Sequence, residues 1–266
     1  MRSVFSLAFI LITSISCSQT SEKLVWSDEF DGVGAPDTSK WSYNLGSSGW
    51  GNNEVQNYSD DLTNSRQENG KLIIQAIKKD GSWTSARLVT EKKFEFTYGK
   101  VVFRAKLPSG SGTWPALWML GNNADKLGWP GCGEIDVMEH VGRRPAVIQA
   151  AMHTPSSYGN TVNLGYTSVE DYDTEFHLYE ANWTPDKIEF SVDDKLFYTY
   201  NPAVKDKETW PLDHPFFIIV NIAMGGNFGS DPKFETNNLK NGIDPSLEKV
   251  TMEIDYIRVY QLDKSN

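Results

Sequence analysis

The segment Gly133-Glu-Ile-Asp-Val-Met-Glu-His140 holds three carboxylates within six residues, set among apolar neighbours. Burying even one carboxylate in a strand is costly without partners, so three there call for a chemical reason. Side chains of a regular strand alternate between faces, which puts Glu134 and Asp136 on one face and Glu139 on the other. One extra residue, a β-bulge at Val137 or Met138, resets the parity and returns Glu139 to the first face. Bulges are enriched beside active sites, where they re-aim a side chain, and we expect one here. Two carboxyl groups about 5–5.5 Å apart are what retaining hydrolysis of a glycosidic bond requires, one as nucleophile and the other as acid and then base. Asp136, between them, is placed to hydrogen-bond Glu134 and to repel its charge, which helps hold the two protonation states apart. The competing readings are an exposed acidic strand and a calcium site, since hard cations also gather carboxylates.

Strand signals dominate the elements that must position these acids. Lys71–Ile77, Tyr98–Leu107, Ile188–Val192, Leu196–Tyr200, Phe216–Ala223 and Met252–Tyr260 mostly alternate apolar and polar residues, as half-buried antiparallel strands do. Thr184-Pro-Asp-Lys187 and Val192-Asp-Asp-Lys195 read as hairpin turns. No window of helical length carries a convincing apolar stripe. The architecture that follows is all-β, a sandwich or jelly roll of two antiparallel sheets. The absence of a Pro/Gly/Ser linker, repeat or low-complexity block predicts one domain, over residues 24–263.

Arg2 followed by the apolar run Val4–Ile12 and then small residues has the order of a secretory leader and is too short to span a bilayer, so residues 1–17 are set aside as a signal peptide. Ser14-Ile-Ser-Cys17 resembles a bacterial lipoprotein cleavage site, with Cys17 as the lipidated first residue; plain secretion after Ser16 is the alternative. Either way the protein is expected to be exported, as an outer-membrane or cell-surface lipoprotein or in a secreted or periplasmic form. Residues 18–23 read as a short polar tether. The other cysteine, Cys132, then lacks an intrachain partner, so no disulfide framework and no cysteine-based zinc site is expected.

A formal net charge of −10 disfavours nucleic acid, anionic membranes and sulfated polysaccharides, and a neutral substrate fits better. The nine tryptophans exceed what plain packing needs, and flat apolar faces are what sugar rings stack on. A monomer is the expected state.

Glu134-Ile-Asp-Val-Met-Glu139 resembles the signature of glycoside hydrolase family 16 in the six-residue form of its laminarinases, which are endo-1,3-β-glucanases. Further resemblances follow in family order across nearly the whole mature chain: Asp28-Glu-Phe-Asp31, Trp50–Tyr58, Ser85-Ala-Arg-Leu88, Tyr98-Gly-Lys100, Thr113–Met119, Asn221–Asn227 and Asp255–Tyr260. The resemblance implies a β-jelly roll with a cleft across its concave sheet, retention of configuration, Glu134 as nucleophile, Asp136 as its assisting carboxylate and Glu139 as acid/base. It implies a β-1,3-glucan substrate, with mixed-linkage β-1,3/1,4-glucan also accepted. A family relative acting on agarose or another galactan, and a non-catalytic glucan-binding protein, are the alternatives; the second predicts a missing carboxylate, and all three are present. The family often carries one structural calcium far from catalysis, whose ligands match main chain near Glu29, the Gly70 carbonyl and the Asp255 carboxylate.

Around the acids, Trp114 and Trp118 lie four apart and share a strand face, which suits a row of sugar subsites. Arg87, between Ala86 and Leu88, either pairs a carboxylate or reaches sugar hydroxyls. Asn44 and Glu54 flank the loop Gly46–Gly51 and are candidate substrate contacts; for Glu54 the alternative is satisfying nearby backbone amides. His153 is a candidate to hydrogen-bond the acid/base or a sugar. His140 reads more as a packing residue, and Trp129 as a rim residue.

Overall fold

Each of the six predicted strands is a strand in the computed structural model, which describes residues 22–237 and 239–262. Their edges shift by at most a few residues, to Leu72–Lys79, Gly99–Lys106, Ile188–Val192, Lys195–Tyr200, Phe216–Met224 and Lys249–Leu262. Alternation produced them: Ile188–Val192 buries every second residue, and its buried side chains face the core. The turn before Lys195 is a two-residue hairpin in which Asp193 and Asp194 both take positive φ, 49° and 63°. That mirror-image turn matches the right-handed twist of the strands it joins.

The strands form two sheets. The ten-stranded sheet runs in the order 195–200, 188–192, 177–183, 99–106, 249–262, 72–79, 82–85 and 57–58. Glu22–Asp28 and Ser65–Gln67 pair at its sides. The eight-stranded sheet runs 164–168, 147–153, 134–140, 113–121, 216–224, 87–89 and 42–43, with Glu95–Phe96 beside 216–224. All pairings are antiparallel except the two-residue contact of Asn57–Tyr58 with Thr84–Ser85. Only two four-residue helices, Ala124–Leu127 and Gly226–Gly229, interrupt the strands among the described residues. This is the expected β-jelly roll, and it places the acidic strand near the middle of the eight-stranded sheet.

The core between the sheets is continuous. Leu72, Ile74 and Met252 from one sheet meet Leu117, Met119, Ile135, Ile218 and Val220 from the other, all fully buried. Each such side chain contributes roughly 1.5–3 kcal/mol by leaving water. Phe216–Met224 is buried throughout: one face closes this core, while on the other Phe217 and Ile219 pack with Val89, Trp118 and Leu120, and Asn221 and Ala223 floor a cleft. Pro115 lies inside a central strand, where a missing N–H is normally excluded. It is tolerated because pairing with the acidic strand starts only at Ala116, one residue later.

The leader 1–17, with Cys17, lies outside the described residues. The expected tether is shorter than residues 18–23: Glu22 and Lys23 pair with Leu262 and Gln261 as the start of a strand, because the long last strand offers them a free edge. Cys132 is buried and forms no disulfide among the described residues.

Candidate active site

Within the acidic strand the register breaks where the parity argument placed the break. Against its neighbour on one side, Asp136 pairs with Ala151 and Glu139 with Gln149, three steps against two. On the other side Trp118 pairs with Asp136 and Leu117 with Met138, leaving Val137 as the extra residue. Val137 and Met138 are consecutive, yet both side chains sit in the core with Ile135. Glu134, Asp136 and Glu139 consequently line one cleft of about 910 Å³. Here the bulge has converted an odd spacing into a shared face.

Glu139 is buried and well supplied with donors. Trp114 Nε1 donates to its Oε1 at 3.0 Å and Gln149 Nε2 to its Oε2 at 2.9 Å. Glu134 and Asp136 are arranged differently from expectation: the direct hydrogen bond between them does not form among the described residues. His153 stands between them instead, with Nε2 3.2 Å from Asp136 Oδ2 and 3.6 Å from Glu134 Oε1. His153 therefore faces Glu134 and Asp136 rather than Glu139.

Burial pushes all three carboxyls above the ordinary carboxylate range. Glu134 rises to about 8, from desolvation first and then the neighbouring charge of Asp136. Asp136 rises well above its usual value, from desolvation and then Glu139. Glu139 rises through desolvation, opposed by His153 and by its hydrogen bonds from Trp114 and Gln149. Desolvation and mutual repulsion thus push each carboxyl towards its protonated form, the direction a general acid requires.

The walls carry the aromatic residues. Trp114, Ala116, Trp118 and Leu120 face the cleft from alternate positions of one strand, while Leu117 and Met119 face the core. The small Ala116 leaves a gap between the two indoles. Trp118 Nε1 donates to Asn221 Oδ1 at 2.8 Å, and Asn221 Nδ2 donates to the Tyr58 hydroxyl at 3.0 Å. The guanidinium of Arg87 lies 4.8 Å from the ring centres of both Trp50 and Trp118, a cation held between two aromatic faces. Its Nε is buried without a partner, and burial lowers its pKa against the pull of Tyr58, Glu54 and Glu134. Among the described residues Arg87 forms no salt bridge with a carboxylate, and its Nε is free to meet a ligand.

Glu54 also lines the cleft, but it is engaged by side chains rather than backbone amides: Gln56 at 2.6 Å, Asn52 at 3.3 Å and the Tyr58 hydroxyl at 3.3 Å. Trp129 is half-exposed on the rim, with Tyr158 edge-on at 5.4 Å. Two residues are not brought in. Asn44 lies outside the cleft lining, and its main-chain N–H is bonded to the Arg87 carbonyl. His140 points away, with Nδ1 2.9 Å from the Val147 carbonyl and its ring against Tyr172. Sequence reasoning did not single out Gln149, Asn221, Trp50 or Tyr166, all of which line the cleft. For Gln149 the signal was available in principle, since a polar residue directly across a strand pair from a buried acid is its natural donor.

Of the nine tryptophans, Trp50, Trp114, Trp118 and Trp129 line the cleft, whereas Trp41, Trp83, Trp183 and Trp210 are core residues and Trp26 packs against them.

Glu29 and Asp255 lie at the opposite sheet. Both carboxylate oxygens of Glu29 are taken by Arg258, at 3.0 and 2.8 Å, and Asp255 Oδ2 accepts from Arg104 at 2.6 Å. Asp255 sits at a register break of the last strand, and Gly70 in a turn with φ of 70°. A hard cation here would take main-chain carbonyls of Glu29 and Gly70 together with Asp255 Oδ1, a mixed oxygen set of the kind calcium accepts. The Glu29 side chain is not available to it.

A sequence model described as glycosyl hydrolases family 16 matches residues 37–258. A beta-glucanase of Rhodothermus marinus is 42% identical over 98% of this chain and 94% of its own length. The crystal structure of a laminarinase from Flavobacterium sp. UMI-01 superposes with a TM-score of 0.83 at 46% identity, covering 90% of this chain and 100% of that one. A mutant of SCLam, a non-specific endo-beta-1,3(4)-glucanase, co-crystallised with 1,3-beta-D-cellotriosyl-glucose, superposes with a TM-score of 0.82 at 34% identity, over 91% of this chain and 96% of that one.

Proposed function

This chain belongs to glycosyl hydrolase family 16, and from that premise we propose that it is a retaining endo-β-1,3-glucanase that also accepts mixed-linkage β-1,3/1,4-glucan. One observation carries the reading: the bulge at Val137 sets Glu139 beside Glu134 and Asp136 on the floor of a cleft walled by tryptophan. A cleft of that kind takes a polymer of neutral rings by stacking, and the carboxyl cluster supplies the chemistry.

Glu134 attacks the anomeric carbon. The C–O bond to the leaving sugar breaks as Glu139 delivers a proton to its oxygen, leaving a glycosyl-enzyme ester on Glu134. Glu139, now a carboxylate, takes a proton from water, whose oxygen displaces Glu134 with a second inversion. The hydrogen bonds from Trp114 and Gln149 suit this exchange, since they keep the Glu139 carboxylate from being too unstable once its proton has gone. Asp136, protonated and buried next to Glu134, moderates the charge on the nucleophile. Arg87, Trp50, Trp118 and Trp114 bind the glucan.

The leader sequence supports export, and Cys17 supports anchoring of the mature protein through a lipid. A calcium ion would be held by the Glu29 and Gly70 carbonyls and Asp255, where it would stabilise the fold and take no part in the reaction.

Product analysis on laminarin, lichenan and agarose side by side tests the assignment. Oligosaccharides of mixed length from laminarin and lichenan are expected, with agarose untouched and Glu134→Gln inactive. Turnover of agarose alone, or full activity in Glu134→Gln, would overturn it.

A further inference from the structure

The side chains of Glu134, Asp136 and His153 can bring one ligand atom each within 4.8 Å of the others. Taken alone, that spacing admits a divalent cation. The second ring nitrogen of His153 points elsewhere. The main-chain N–H of Gly159, in the loop that follows the strand Val147–His153, donates to His153 Nδ1 at 3.1 Å. A ring nitrogen that accepts from an amide bears no proton, so the imidazole proton sits on Nε2. An Nε2 that bears a proton is a donor and not a metal ligand. It lies 3.2 Å from Asp136 Oδ2, a buried oxygen with no hydrogen-bond partner among the described residues, and 3.6 Å from Glu134 Oε1. Such an oxygen is costly to leave unpaired, and the His153 Nε2–H, within reach at 3.2 Å but not aligned as a hydrogen bond here, is the nearest donor.

We propose that His153 is a positioning residue for the nucleophile: the Gly159 amide fixes the tautomer that carries its proton on Nε2, and this N–H donates to the Asp136–Glu134 pair and holds Glu134 for attack. The proposal rests on Glu134 being the nucleophile. Strand register supplies the alignment, since His153 stands directly opposite Glu134, and the Trp129 ring packs 5.7 Å from the imidazole. The titratable groups facing it are Glu134, Asp136 and Glu139 on the adjoining strand, with Arg87 acting on Glu134 from across the cleft. From the loop side it meets the Gly159 amide and Trp129. Loop 154–163 therefore acts on the catalytic cluster without contributing a side chain to it.

The test compares wild type, His153→Leu and His153→Gln for kcat and KM on laminarin across pH, with Tm as a check on folding. Leu removes the donor, so the ionised form of Glu134 loses support and the acid limb of kcat/KM moves to higher pH. kcat is expected to fall about tenfold to a hundredfold with KM little changed. Gln, which can place an N–H near the position of Nε2, is expected to recover most of kcat and the original limb. An unmoved acid limb in the Leu variant, a loss confined to KM, or a Gln variant no better than Leu at wild-type Tm would each overturn the proposal. Should Leu fail to fold, the limb of the Gln variant decides alone: displaced, it overturns the proposal.

A second measurement needs no substrate. ¹⁵N NMR of the His153 imidazole in the wild-type protein is expected to show Nε2 protonated and Nδ1 bare; the reverse assignment, or Zn²⁺ binding that His153→Leu abolishes, also overturns the proposal. Failure of the glucanase reading would appear separately, as wild-type protein that leaves laminarin intact.

Discussion

Gln149 stands directly across the strand pair from Glu139 and donates its side-chain N–H to Oε2 at 2.9 Å. The bulge creates this relationship, because if Val137 were kept in an unbroken register the core side chain of Met138 would stand opposite Gln149. The Glu139 carboxyl is thus tuned by a residue that the same irregularity selects.

Replacing Gln149 with Leu removes one of two donors to the Glu139 carboxylate. Loss of a bond that lowers the pKa lets it rise, so the basic limb of the pH–rate profile, set by deprotonation of the acid, should move upward. A charge-assisted hydrogen bond of about 1.5 kcal/mol corresponds to about one pH unit. Laminarin hydrolysis followed across pH checks this; a basic limb that stays in place would detach Gln149 from the acid.

Glu134 should weaken the fold at alkaline pH. Its pKa is raised to about 8 in the folded protein against 4.5 in an unfolded chain, so the folded state holds the proton more tightly. Its contribution to stability is full below the unfolded value and is lost as pH rises through the window between the two. Glu134→Gln, which cannot ionise, is therefore expected to melt a few degrees above wild type at about pH 8, with the gain shrinking towards about pH 4.5. Scanning calorimetry at the two pH values measures it, and equal gains at both would contradict the assignment.

Arg87→Lys keeps the charge but loses the planar group that fits between Trp50 and Trp118. Cation–π support of about 1–2 kcal/mol implies roughly tenfold weaker binding of laminarin oligosaccharides. Calorimetric titration of the Glu134→Gln protein, which binds without turnover, reads this directly. Unchanged affinity would place Arg87 outside the binding machinery.

Chelating calcium should lower Tm by about 5–10 °C if the ion is normally present near a hundred times its dissociation constant. kcat measured well below the transition should not change. Asp255→Asn should reproduce the shift. A Tm indifferent to both would show that the Arg104–Asp255 and Arg258–Glu29 pairs stabilise this surface unaided.

Much of this was legible in the residues. Alternation located the principal strands because one face of each is buried and the period of two is rigid. A break at Val137 or Met138 followed from parity once the three acids were required to share a face, and the register places it at Val137. Contacts between segments distant in sequence were not legible. Nothing in the order of residues says that Arg87 lies between Trp50 and Trp118, or that an amide of loop 154–163 returns to His153, because those meetings depend on how sheets stack and loops fold back. Asn44 illustrates the same limit: its polar type suited a sugar contact, but its backbone is spent on holding the Arg87 strand, and its side chain lies outside the cleft. The tether was misjudged for a related reason, since polar composition at residues 22–23 gave no hint of the edge waiting in the last strand.

The bulge residue also behaves like a spacer that can be taken out. Excising Val137 would leave Glu-Ile-Asp-Met-Glu, five residues in strict alternation, with the third acid still turned to the cleft and Met138 taking over the core position. An insertion or loss of one residue at this point therefore keeps the chemistry in phase, whereas the same event one step earlier, between Glu134 and Asp136, would turn an acid into the core. What the extra residue alters is the position of Glu139 along the strand relative to Glu134, and the local twist.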